Sequence, residues 1–368
     1  MIVKRFKAEN FRNIEKCDIS FSSGINLLHG KNAQGKTNAL EGIYIFSRGK
    51  SFRAADEKDL IKSGERGFNL FLEYESKIGK ETLEYSVFER ERQRKKNGYK
   101  IKKITDMIGS FKTVLFSPDD LTVVKDGPEK RRAFINVAAS QCYPSYVDYY
   151  ASFKKALENR NCIIKNVKTG LYYNKEELDS WSYTMAEYAA HIHVLRKEYA
   201  EKLTVHAKEL QGLISDGKEN LDIHLKSCIP DEIKDYGEIK EEYIKALSSN
   251  LEKEFAAGVS LYGVHRDDLE IYINGESARL FCSQGQQRSI VLSLKLAEGE
   301  VNRAICGEYP VYLLDDVLSE LDEKRKNFVI KGIKEKQVII TSCENEESMK
   351  FADSVVEVDG GNYVSSHR

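Results

Sequence analysis

The sequence predicts an α/β protein whose core is assembled from both chain ends, with a mainly helical segment inserted between them. Three observations predict it. Near the N-terminus an apolar strand, "INLL", runs into a glycine-rich loop and then into an amphipathic helix. From about residue 129 to 215 the strand pattern gives way to helical spacing. After 255 strand signals return, in a strand–helix–strand order that suits a parallel core.

The elements follow in order. "IVKRFKAENF" alternates, "DISFSSGINLLHG" follows it, and "TNALEGIYIFS" has helical spacing at Leu40, Ile43, Tyr44 and Phe46. "FNLFLEYES" and "TLEYSVFERE" alternate again, as antiparallel strands with one exposed face do. "RERQRKKNGYKIKK" is read as continuing the second of these into an Asn97-Gly98 hairpin turn, since both residues tolerate positive φ. In the helical middle, apolar or aromatic residues recur at Trp181, Met185, Tyr188, Ile192, Leu195, Tyr199, Leu203, Leu210 and Leu213. That seam suits a partner helix, for which "PSYVDYYASFKKALENRNCII" is the candidate, packed antiparallel through a turn near 168–170. The pair fits a short coiled-coil-like arm or two long helices of an ordinary bundle. "VSLYGV" and "DLEIYIN" then read as strands, 282–300 as a helix, and "YPVYLLDD" and "QVIITS" as core strands.

Composition narrows the function classes. With 368 residues and a net charge of −1, nucleic-acid contact requires a local basic stripe and cannot rest on overall charge. Seven scattered cysteines without a C-x-x-C pair argue against a disulfide framework and a zinc site, and fit a reducing compartment. No run approaches the roughly 20 apolar residues of a membrane span, and "MIVKRFKAENFRN" has no apolar signal core. The expectation is a soluble, cytoplasmic protein without a membrane partner.

"GKNAQGKT" fits G-x-x-x-x-G-K-[ST] with Gly30, Lys31, Asn32, Ala33, Gln34, Gly35, Lys36 and Thr37. Glycines at these places let the backbone wrap a phosphate, so that N–H groups converge at the start of the next helix. Lys36 would reach β- and γ-phosphate oxygens, and Thr37 would offer a hydroxyl to Mg²⁺. "VYLLDDVLSELD" supplies the acidic half: Asp315 at a strand end for the Mg²⁺ shell, Asp316 to orient or deprotonate water. The catalytic set is therefore Lys36, Asp315 and Asp316, with ATP and Mg²⁺ as ligands. "CSQGQQRS" opens a second helix with Ser283, Gly285 and Gln286, more uncharged donors than a helix cap needs. A second anion site makes sense if it completes the nucleotide site of another subunit.

"SQGQQRS" resembles the signature motif of ABC-type ATPases, "SELD" at 319–322 resembles their D-loop, and "FKAENFRNIE" is similar to the first strand of the SMC and RecN families. "LFSPDDLTVVKDGPEKRRAFIN", "YGVHRDDLEI" and "LLDDVLSELD" together resemble the RecF family of bacterial recombination mediators, over essentially the whole chain. The resemblance implies an ABC-type P-loop ATPase head, divided here as an N-terminal lobe (1–115), a helical arm (116–255) and a C-terminal lobe (256–368). It implies an ATP-dependent homodimer in which Ser283, Gly285 and Gln286 meet the partner's γ-phosphate and Asp322 lies at the interface, with Arg12 a further phosphate contact. It also implies binding at duplex/single-strand DNA junctions at gaps and, with RecO and RecR, promotion of RecA loading, reset by weak, DNA-stimulated ATP hydrolysis. A transporter-type ABC subunit and an ATPase-linked nuclease are the alternatives.

Departures from the family pattern are Val264 where the family has proline, and Thr341 and Ser342 where many ABC ATPases carry a switch histidine. "SPDDL" is the candidate for the Q-loop place. The basic stretch, with eight Lys or Arg in fourteen residues, presents Arg90, Arg92, Arg94, Lys95, Lys96, Lys100, Lys102 and Lys103 as DNA-backbone candidates. A solvated edge strand guarded by charge is the competing reading. His265, Arg266, Asp267 and Asp268 are expected to form a structural network, since no carboxylate cluster with ligand spacing accompanies them.

Overall fold

The computed structural model describes residues 1–89, 91–343 and 351–367. The first third of the chain holds β1 (Ile2–Phe11), β2 (Ile14–Ser20), β3 (Ile25–His29), α1 (Lys36–Arg48), β4 (Gly67–Ser76), β5 (Gly79–Phe88), β6 (Glu91–Lys96), β7 (Tyr99–Lys100) and β8 (Thr113–Phe116). The middle holds α2 (Thr122–Lys125), α3 (Pro128–Cys142), α4 (Tyr146–Lys168), α5 (Lys175–Ile214), β9 (Leu221–Lys226), α6 (Tyr236–Ser249), α7 (Leu251–Ala257), β10 (Asp268–Ile273), β11 (Glu276–Ser277) and α8 (Ala278–Phe281). The rest is α9 (Gln284–Cys306), β12 (Val311–Asp315), α10 (Glu323–Gly332), β13 (Val338–Ser342), β14 (Ser354–Asp359) and β15 (Asn362–His367).

The chain divides into two compact units, Met1–Leu121 with Glu209–Lys218 and Gln284–Arg368, and Thr122–Lys208 with Glu219–Ser283. The first unit is α/β, as expected, and holds two sheets. One has the order β2-β1-β4-β5-β6-β7 and is antiparallel. Its alternation places Phe68, Leu70, Leu72 and Tyr74 of β4, and Leu83, Tyr85 and Val87 of β5, on one buried face. The other has the order β15-β14-β3-β13-β12-β8, parallel from β14 to β8, with β15 antiparallel at the edge. Its β8, β12 and β13 are buried at every position, which is why they read as continuous apolar runs. Helix α1 packs against β1 and β4 of the first sheet and β8, β12 and β13 of the second. Its Ala39, Leu40, Ile43 and Phe46 join one core, while Leu292 and Leu296 of α9 and Val329 of α10 join a second core on the parallel sheet.

The second unit joins helices to a three-stranded sheet, β11-β10-β9. Helices α4 and α5 run antiparallel: Tyr149 stacks on His191 at 4.3 Å between ring centroids, and Arg160 Nε donates to Ser182 Oγ at 2.9 Å. The seam holds at Met185, Ile192, Tyr199 and Leu203, but the structure buries Arg196 rather than Leu195 and leaves Leu213 exposed. No described helix is long and apolar enough to cross a membrane.

Three expectations are corrected. The units do not divide at 116 and 256, because β10 pairs with β9 along its whole length and carries "DLEIYI" into the helical unit, away from the parallel core. Residues 116–121 and 209–218 lie instead in the first unit, where Gln211 accepts from Ser293 and Ile214 joins the core. "VSLYGV" is not a strand, since its carbonyls serve side chains: Val264 O accepts from Arg196 and Ser260 O from Arg266. The basic stretch does not prolong β5. The chain reverses at Glu89, whose φ is +54°, and β6 returns antiparallel to β5 before the Asn97-Gly98 turn.

Candidate functional site

The glycine-rich loop leaves β3 at the carboxyl end of the parallel sheet and enters α1 at Lys36. Positive φ at Ala33 (+64°) and Gly35 (+115°) curls the backbone into a concavity of the kind that gathers N–H groups around an anion. Gly30 is needed for space: a Cβ there would meet Val358 O at 2.2 Å. The hairpin of β14 and β15 braces the loop from behind. Gly361 N donates to Gln34 O at 3.0 Å, Tyr363 OH to Gly35 O at 2.8 Å, and Gly360 N to Gln34 Oε1.

Lys36 is buried, and its Nζ donates to Gly30 O (2.6 Å) and Lys31 O (2.9 Å) and lies 3.1 Å from Cys343 Sγ. Cys343 in turn meets Asn32 Oδ1 at 2.6 Å. Thr37 Oγ1 donates to Asp315 Oδ1 at 2.7 Å, joining residues 278 positions apart. Thr341 Oγ1 reaches the same oxygen at 3.0 Å. Burial pushes the Asp315 carboxyl above its ordinary value, against the pull of the Thr37 and Thr341 hydroxyls and the charge of Arg53. A buried carboxylate held by neutral hydroxyls, beside a phosphate-type loop, fits a Mg²⁺–nucleotide pair. Asp316 follows in left-handed conformation, φ +56°, with its Oδ2 3.7 Å from Cys343 Sγ.

The structure thus brings Lys36, Thr37, Asp315 and Asp316 together. It commits Arg12 elsewhere: Nε and Nη2 pair with buried Glu41 at 2.9 and 2.7 Å, and Nη1 bonds Asp59 O. A further exposed cation is Arg53, bonded to Asn38 Oδ1 of α1 at 3.1 Å and near enough to Asp315 for its charge to act on that carboxyl. Sequence reading missed Arg53, Thr341 as a ligand of Asp315, and Cys343 at the loop. Only Thr341 carried a signal, its place at the end of an apolar strand.

The signature residues stand at the start of α9, with Ser283 exposed. Asp322 caps α10 by accepting from Arg325 N at 3.0 Å and pairs with the Arg325 guanidinium. Arg325 also donates to Gly285 O (2.8 Å) and Ser289 Oγ (3.0 Å), so one side chain ties the signature helix to the D-loop. In the "SPDDL" stretch, half-buried Asp120 pairs with Lys295 of α9 at 3.3 Å.

The basic hairpin is less free than its composition suggests. Arg92 pairs with Glu57, Lys95 with Glu84 and Lys96 with Glu81, while Arg94 lies over the Tyr85 ring. Lys100, Lys102 and Lys103 are exposed, and among the described residues no acid pairs with Lys100 or Lys102. Arg90 lies outside the described residues. The 265–268 cluster is the expected network: Arg131 pairs with Asp268, Arg196 with Asp267, and Arg266 bonds Ser260 O.

Residues 2–365 match the family described as RecF/RecN/SMC N terminal domain. The chain is 36% identical to the DNA replication and repair protein RecF of Acetivibrio thermocellus over 369 residues, covering 98% of this chain and 99% of that one. To the protein of the same name from Ruminiclostridium cellulolyticum it is 38% identical over 373 residues, covering 99% and 100%. It matches the solved structure of the recombination mediator protein RecF–ATP in the RecFOR pathway with a TM-score of 0.92 at 33% identity, covering 99% of this chain and 97% of that one.

Proposed function

Since the chain belongs to the RecF family of the RecF/RecN/SMC ATPases, we propose that it is an ATP-switched DNA-binding protein of recombinational repair and replication-fork maintenance. The observation that carries the reading is the 2.7 Å contact between Thr37 and Asp315, which unites the glycine-rich loop with the acidic strand end.

ATP would lie in the loop at 30–37, with Lys36 on its terminal phosphates. Thr37 and Asp315 would hold Mg²⁺, which supplies neutralisation of phosphate charge when bound. Asp316 would orient the attacking water. Two copies would close on two nucleotides, with Ser283, Gly285 and Gln286 of one meeting the γ-phosphate bound by the other and Asp322 at the seam. Arg325 supports this arrangement, because it holds Gly285 and Asp322 together and both then move as one piece. The dimer would bind duplex/single-strand junctions at gaps through Lys100, Lys102 and neighbouring cations, and promote RecA loading together with RecO and RecR. Slow hydrolysis would reset it.

Sedimentation with and without ATP–Mg²⁺ tests the switch: the reading expects monomer to shift towards dimer at micromolar concentration. Lys36→Met should abolish that shift, and Ser283→Arg should block it while sparing nucleotide binding. Dimerisation unchanged in both variants would overturn the sandwich. Gapped DNA retained no better with ATP than without it would overturn the DNA switch.

A further inference from the structure

Strand β13 lies between the loop strand β3 and the acidic strand β12, and near its end stands Thr341, 2% exposed. Its Oγ1 is 3.0 Å from Asp315 Oδ1 and 2.9 Å from the Asp316 amide nitrogen. A hydroxyl carries one proton. The amide can only donate, so Thr341 accepts from Asp316 N–H and gives its own proton to Asp315. The Leu314 carbonyl, at 3.5 Å, lies at the limit for a bond and competes weakly. The acceptor also supports a strained residue, since Asp316 is held at φ +56° without the freedom of glycine.

We propose that Thr341 is the positioning residue of the ATPase site, one hydroxyl that fixes both the cation-holding Asp315 and the backbone that aims Asp316. The inference rests on the nucleotide reading above and deepens it. Thr37, the other donor to Asp315, has a second duty in that reading as a cation ligand. Thr341 holds no cation in that reading, so its hydroxyl serves the two aspartates alone.

Thr341→Val keeps the shape and removes the hydroxyl, and Thr341→Ser keeps the hydroxyl. Both are made in the full chain, and thermal melts are recorded first. If valine melts early, Thr341→Ala gives the same readouts. For valine, turnover at saturating ATP should fall roughly 10- to 100-fold, the range seen when a residue supporting a metal ligand is lost. Affinity for a fluorescent ATP analogue in excess Mg²⁺ should stay within about twofold, as expected of a group outside ground-state binding. The Mg²⁺ needed for half-maximal analogue binding should rise about tenfold, and amide exchange at Asp316 should quicken in the nucleotide-free protein. Serine should restore all four.

Valine with wild-type turnover and Mg²⁺ requirement overturns the proposal, as does a serine variant as impaired as valine. Wild-type protein that binds the analogue but never turns ATP over overturns the hydrolysis reading alone. The Mg²⁺ requirement and Asp316 exchange then decide the role of Thr341.

Discussion

Two buried aspartates, one in each unit, make an instructive pair. Asp267 in the helical unit faces Arg196, whose guanidinium also bonds Tyr146 OH, Asn136 Oδ1 and Val264 O. The charge there is met within the fold, at Asp267 Oδ2. Asp315 in the α/β unit is buried as well, but it is held by the hydroxyls of Thr37 and Thr341, with no cation bonded to it among the described residues. Withdrawing an ion from water costs several kcal/mol unless a counter-charge is supplied. Asp267 receives that charge from its own chain; in the proposed reading Asp315 would receive it from Mg²⁺. Burial alone does not separate a structural acid from a functional one. The sign of what surrounds it does.

The largest test of this contrast removes the counter-charge that is present. Arg196→Met should destabilise the helical unit by about 3–5 kcal/mol, read from urea unfolding, because Asp267 is left buried and unpaired. A loss within about 1 kcal/mol, the scale of a surface pair, would erase the distinction.

Acid is the next lever. Burial lowers His193 and His265 to about 4. The unfolded chain, titrating near 6.5, therefore binds more protons between these values, so stability is full above about pH 6.5 and is lost as pH falls towards 4. The expected loss is at most about 3 kcal/mol per histidine, and His265→Gln should flatten the slope of midpoint against pH. An unchanged slope would count against it.

Asp315→Asn should do the reverse of Arg196→Met. In Mg²⁺-free buffer its melting point should hold or rise, by no more than about 1 kcal/mol of stability, while Mg²⁺-dependent nucleotide binding is lost. A large destabilisation would make Asp315 a structural acid.

The smallest effect concerns the hairpin. Replacing Lys100 and Lys102 together with alanine should make log affinity for DNA less steep against log salt by about 2. Replacing Lys95 and Lys96, which face Glu84 and Glu81, should change it by less. Equal changes would show that the internal pairs open on contact with DNA.

What the sequence disclosed follows from how local each signal is. The glycine-rich loop and the buried runs of β12 and β13 could be read because strand, loop and helix each occupy a few consecutive residues. The arginines could not. Arg196 looks like a surface residue on a helix seam until Asp267, 71 positions later, is brought against it. Arg160 is fully buried against Glu254, 94 positions away. The unit boundary inside α5 was equally hidden, because one continuous helical pattern covers turns that belong to different cores. β10 was assigned to the wrong sheet because alternation announces a strand without naming its neighbour.

The brace behind the phosphate loop bears on the order in which the protein is made. Gly30 and Gln34 emerge from the ribosome early, yet their geometry is set by Val358, Gly360, Gly361 and Tyr363. Until those residues arrive, the loop lacks the hydrogen bonds that brace it from behind. Strand β14 must first pair with β3 across more than three hundred residues of intervening chain. A chain stopped before residue 354 should therefore carry the motif without its brace, and should bind nucleotide more weakly than one that includes β14 and β15.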